Sequence, residues 1–140
     1  MYNPTRGQAR DFFFSAWANY RGGAALSDLE RVAVEIIALH PEYHAVLDAR
    51  ERHVDRDYLP EQGQTNPFLH LGLHLGIAEQ LATDRPQGIR NEFDRLLARH
   101  GDRHRALHDL LECLGETIWQ AQRTGLPPDT GTYLDCVRRK

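Results

Sequence analysis

The sequence is poor in the residues that would announce a specialised class. Its 140 residues hold a single lysine, Lys140, one methionine and two cysteines. Cys113 and Cys136 are too few for a disulfide scaffold, are not spaced as a CxxC unit, and give no pairing that spacing alone can read. No apolar run approaches the roughly 20 residues that span a bilayer, so no membrane association is expected. The opening MYNPTRGQARDFFF has no long apolar stretch followed by a cleavage site, which makes a reducing cytoplasm the expected location. Also missing are a Gly-rich phosphate loop, a GxSxG elbow, a dinucleotide fingerprint and an HExxH segment. Each absence withdraws the motif on which a class of enzymes depends.

Charge excludes a further class. Seventeen basic and 20 acidic side chains give a net charge of -3, which is no electrostatic footprint for nucleic acid. Every basic residue but Lys140 is arginine, whose planar fork suits bidentate pairing with carboxylates within the chain or at an interface.

What is present is an ordinary globular balance, 41% hydrophobic and 26% charged, in a chain long enough to bury a core as one domain over residues 1–140. The expected fold is all-α: a compact, irregular bundle of five to seven helices. A first helix over about 6–20 carries Phe13, Ala16, Trp17 and Tyr20 at helical spacing and stops at Gly22-Gly23. Ser27 and Glu30 form a capping box for a second, with Leu29, Val32, Ala33, Ile36 and His40 on one stripe. His40-Pro41 marks a restart into a short helix over 41–51. Residues 53–67 look irregular and make the best candidate for a functional loop.

Asn66-Pro67 then starts a helix to about Thr83. The alternation of Leu69, Leu71, Leu73 and Leu75 would also suit a strand, but the proline-marked start and long continuation favour helix. It is apolar nearly all round, which predicts a central position. Its Gly72 and Gly76 would admit a neighbouring backbone. Asp84 and Gln87 are expected to cap a helix to about Arg99. After the break at 100–102 comes the longest amphipathic run, with Leu107, Leu111, Leu114 and Ile118 inward and Trp119 as a core or interface anchor. Gly125 and Pro127-Pro128 end it, and Asp129 caps a last helix bearing Tyr133, Leu134 and Val137.

Eight histidines stand out, and several fall four apart: His40/His44, His70/His74, His100/His104 and His104/His108. Positions four apart share a helix face, so two imidazoles can reach one ion. At 100° per residue, His74 lies only about 40° from His70, with Leu73 and Ile77 close by, so the pair looks inward. His104 and His108 edge a second apolar face, and Glu112 follows one turn later. A divalent ion (zinc, iron or manganese) held by His70, His74, His104, His108 and Glu112 is the sharp hypothesis, with Glu116 and Glu35 as further acids. The competing use is structural, because an inward histidine donates from one ring nitrogen and accepts at the other. No pair of ExxH segments of the di-iron type is present.

Several segments are distinctive as a set: NPFLHLGLHLGIAEQ followed by DRPQGIR, HPEYH at 40–44, LGETIWQAQRTG at 114–125 and PPDTGTYL near the end. With them the chain resembles a family of short bacterial proteins labelled only as a domain of unknown function. The resemblance covers most of the chain and implies a free-standing domain, with no activity, cofactor or site residue attached. The leading expectation is a structural or protein-interaction role, with a protein partner or a homo-oligomer. The alternative is a metal-binding bundle with hydrolytic or redox activity. A third reading is a pH-responsive helix interface, because histidine titrates near ~6.5.

Overall fold

A computed structural model describes residues 6–56, 58 and 66–140. The fold is all-α, and among the described residues there are eight α-helices and one 3-10 turn. The chain divides into two units, Met1–Leu75 and Gly76–Lys140.

The first unit holds α1 (Arg6–Arg21), α2 (Asp28–Ala38), α3 (His44–Asp48), α4 (Arg50–His53) and the start of α5 (Pro67–Thr83), and all but α4 contribute to one core. Phe13, Phe14, Ala16 and Trp17 of α1 meet Ala33, Val34, Ile36 and Ile37 of α2, with Leu47, Phe68, Leu71 and Leu75 completing the cluster. Burying a side chain of this size contributes about 1.5–3 kcal/mol. The capping box forms as expected. The Ser27 hydroxyl accepts from the Glu30 amide at 3.2 Å, and Glu30 accepts from the Ser27 amide at 2.9 Å. Leu29 and Tyr20, expected on core stripes, stand 40% and 52% exposed.

The stretch expected as one helix over 41–51 divides into a 3-10 turn (Pro41–Tyr43), α3 and α4. Pro41 supplies no backbone donor to carry α2 onward. A second break falls at Ala49, with φ -121° and ψ 59°, after an Asp48 whose carboxylate is committed to Trp17 Nε1 at 2.8 Å and Arg21 at 3.2 Å. Arg10, 2% exposed, ties α4 down: its guanidinium donates to the carbonyls of His53, Val54 and Arg56 and lies 4.8 Å from the Phe68 ring centroid. The expected functional loop at 53–67 includes residue 57 and residues 59–65, which lie outside the described residues.

α5 opens as the sequence predicts, with Asn66 Oδ1 accepting from the Phe68 and Leu69 amides at 2.9 and 3.2 Å. Leu71 and Ile77 are fully buried, but Leu69 is 60% exposed, so the helix is not sheltered all round. The expectation of a backbone approaching Gly72 and Gly76 is not met among the described residues, none of which comes within 4 Å of a Cβ at either position.

The second unit packs α6 (Ile89–His100), α7 (Arg103–Thr124) and α8 (Thr130–Arg138) around Ile89, Phe93, Leu96, Leu107, Leu110, Tyr133 and Val137. α6 starts later than expected, at Ile89 behind a left-handed Gly88, and Gln87 supplies no cap. Asp84 still serves it from a distance, accepting from the Arg90 amide at 3.1 Å. Asp102 and Asp129 cap α7 and α8 through their side chains. Trp119 is 50% exposed and carries Arg123 at 4.7 Å from its ring, so it anchors no core.

The structure supplies the cysteine pairing that spacing left open. Cys113 on α7, fully buried, and Cys136 on α8 form a disulfide with Cα atoms 5.7 Å apart. Their separation of 23 residues is closed by the packing of α8 on α7, which the spacing alone does not encode. Among the described residues, no helix is long and apolar enough to cross a membrane.

Candidate metal centre

Three histidines converge within the first unit. His70 and His74 lie one turn apart on α5, as their spacing predicts, with ring centroids 5.0 Å apart. His40 joins them from just beyond α2, its ring 4.8 Å from His70 and 4.6 Å from His74. The Nε2 atoms of His40 and His70 are 3.1 Å apart, and one candidate ligand nitrogen from each of the three lies within 4.8 Å of the others. His40 and His74 are 2% and 3% exposed.

The end of α2 explains how His40 is held. A helix leaves its last carbonyls without helical partners. The amides of Leu39 and His40 reach the Ile36 and Ile37 carbonyls at 3.1 and 2.9 Å. The His40 ring adds a bond from Nδ1 to the Ile36 carbonyl at 2.8 Å, and the His44 ring another from Nε2 to the Ile37 carbonyl at 2.9 Å. A carbonyl oxygen only accepts, so Nδ1 of His40 carries the hydrogen. Its Nε2 is thereby turned toward α5. A histidine whose far nitrogen is fixed on a carbonyl is the usual oriented form of a metal ligand.

The surroundings are aromatic and partly dry. Tyr43 stacks on His40 with ring centroids 5.6 Å apart and meets His70 edge-on at 5.9 Å. Burial pushes the Tyr43 hydroxyl above its ordinary range, and the charge of Glu42 adds to the rise. Farther along, burial lowers the His53 ring below its ordinary range, helped by Arg56 and Arg52. His53 is not simply solvated, since its Nδ1 lies 2.7 Å from the Tyr58 hydroxyl.

The distances suit an ion. Two nitrogens bound tetrahedrally to zinc at about 2.0–2.1 Å stand about 3.3 Å apart. The 3.1 Å separation of His40 and His70 is within a small adjustment of that. Imidazole nitrogen is a common ligand for such ions.

Of the other candidate ligands named from the sequence, all but Glu35 lie in the second unit. His104 and His108 share a face of α7, with ring centroids 4.2 Å apart. Glu112, one turn on, is 71% exposed and pairs with Lys140 at 2.7 Å. His100 ends α6 and bonds the Asp109 carboxylate at 2.6 Å. Glu35 is exposed, and Glu116 accepts from Gln120 at 3.1 Å. His40 is the residue absent from the expected ligand set. Its place at the end of the Ile36 stripe was the signal that it faces inward.

No curated protein and no solved structure matches the chain. A family match spans residues 5–139, nearly the whole chain, and carries no activity with it. The chain therefore belongs to the family described as "Domain of unknown function (DUF1841)".

Proposed function

We propose that this protein binds a divalent metal ion through His40, His70 and His74. The observation that carries the reading is the convergence of three ring nitrogens within 4.8 Å, two of the histidines being almost wholly buried. Zinc, iron and manganese are the ions the sequence pattern nominated. His104, His108 and Glu112 of the second unit form a second proposed ligand set, tested by alanine at each position in the same zinc titration. If the bound ion keeps an exchangeable position, it supplies a Lewis acid or an activated water, which is where hydrolytic activity would enter.

Calorimetric titration of the chelator-treated protein with zinc tests this. We expect one first-unit site per chain, lost in the His70→Ala/His74→Ala variant while circular dichroism still reports a helical fold. Retention of the full affinity in that folded variant would contradict the reading.

The second reading is an interaction role with a protein partner or a second copy. It is favoured by the exposed Trp119, Leu126 and Leu69, at 50%, 67% and 60%. Sedimentation across a concentration range tests the homo-oligomer form of it. A cytoplasmic location is likewise a proposal, and the Cys113–Cys136 bond weighs against it, because lasting disulfides belong to oxidising compartments. Thiol trapping in intact cells decides between the two.

A further inference from the structure

We infer that the His40, His70 and His74 centre is selective for late first-row ions (cobalt, nickel, copper and zinc), with His40 ligating through Nε2. The inference rests on the proposed metal site and names the class of ion that site takes. It also narrows the nominated ions to zinc, because it places manganese and iron below the favoured set.

The donor set carries the first half. The residues gathered within ligand reach are imidazoles only, with no carboxylate and no thiolate among them. Magnesium, calcium and manganese draw their affinity from carboxylate, carbonyl and water oxygens, whereas imidazole nitrogen favours the ions toward the end of the row. Acids of the first unit are engaged elsewhere: Asp48 with Trp17 and Arg21, Glu30 with Ser27 and Asn19, Asp11 with Arg50, and Asp28 with Arg31. Glu35, Glu42, Glu51 and Asp55 are exposed on the surface. Among the described residues, no carboxylate is gathered with these rings that would reverse the preference.

The Ile36 carbonyl carries the second half. It fixes Nδ1 of His40 as a donor at 2.8 Å, which leaves Nε2 as the nitrogen that meets His70 at 3.1 Å. A ring held in this way reaches an ion without choosing a tautomer first. The main chain supplies this contact, so it survives every side-chain change at residue 36.

Two measurements on the full chain test the inference. In the first, chelator-treated protein competes with a chromophoric chelator for zinc, nickel, cobalt, manganese, magnesium and calcium in turn. We expect manganese, magnesium and calcium to bind on the order of 100-fold or more weakly than zinc. Manganese or magnesium binding as tightly as zinc would overturn the selectivity while leaving a metal site in place. Failure of every ion to bind would overturn the proposed function and this inference with it. In the second, long-range 15N correlation of the histidine rings follows zinc loading of the wild-type protein, so nothing depends on a variant folding. We expect His40 to keep a protonated Nδ1 while Nε2 moves to the position of a metal-bound nitrogen. An unmoved Nε2 in zinc-loaded protein would remove His40 from the ligand set.

Discussion

Nδ1 of His40 donates to the carbonyl of Ile36 at 2.8 Å, while His44, four residues later, donates from Nε2 to the carbonyl of Ile37 at 2.9 Å. Both rings satisfy the same helix end, yet they diverge. His40 turns to α5, and His44 lies against Trp17 with ring centroids 4.6 Å apart. His44→Ala is therefore expected to cost stability, by about 1 kcal/mol for the lost hydrogen bond and more for the ring contact, and to leave zinc affinity unchanged. His40→Ala should weaken both. Paired denaturant melts and zinc titrations separate the two effects, and equal loss of zinc affinity in both variants would refute the distinction.

Gly72 sits on an exposed turn of α5 between His70 and His74, and none of the described residues occupies the place where a Cβ would go. Replacing it by alanine should stabilise the protein by about 0.8–1.0 kcal/mol, because the unfolded chain loses freedom and no neighbour is displaced. A urea melt reads this directly. Destabilisation would show that a neighbour occupies the space.

The disulfide between Cys113 and Cys136 closes a segment of 23 residues. Closing a loop of that length stabilises a fold by about 3 kcal/mol in the chain-entropy account. Urea melts with and without a reductant should differ by that order. Coincident melts, with both thiols shown to be free after reduction, would contradict the assignment.

Asp129 gives an acid dependence with a definite sign. The Thr132 hydroxyl, then the amides of Gly131 and Thr132, hold its carboxyl below the ordinary value of 3.8. Its contribution is thus fully present above that value and is lost as the pH falls through the lower, folded one. Asparagine still caps a helix but does not titrate there. Asp129→Asn should therefore flatten the acid limb of stability as the pH falls below about 3.8. An unchanged limb would assign the acid sensitivity to other groups.

The helical pattern was legible because capping signals and apolar periodicity are local. The Ser27 and Glu30 box, the Asn66-Pro67 start and the Asp129 cap all lie within a turn of the helix they open. His70 and His74 were legible as a pair for the same reason, since both sit inside one uninterrupted helix. His40 and His44 were misleading as a pair. His40 has φ -128° and ψ 68°, and a 3-10 turn follows it, so helical arithmetic does not carry across Pro41. The meeting of His40 with His70, 30 residues away, is a consequence of tertiary packing, as is the union of Cys113 with Cys136. Gly72 shows the converse. A glycine in an apolar helix reads as a point of close approach, but here none of the described residues approaches it.

Anomalous diffraction at the zinc absorption edge, from crystals of the zinc-loaded protein, tests the central claim most directly. The account predicts one dominant peak about 2.0–2.1 Å from Nε2 of His40 and from a ring nitrogen of each of His70 and His74. A zinc peak seated only on other residues, or none at these three rings in protein that binds zinc in solution, would contradict it.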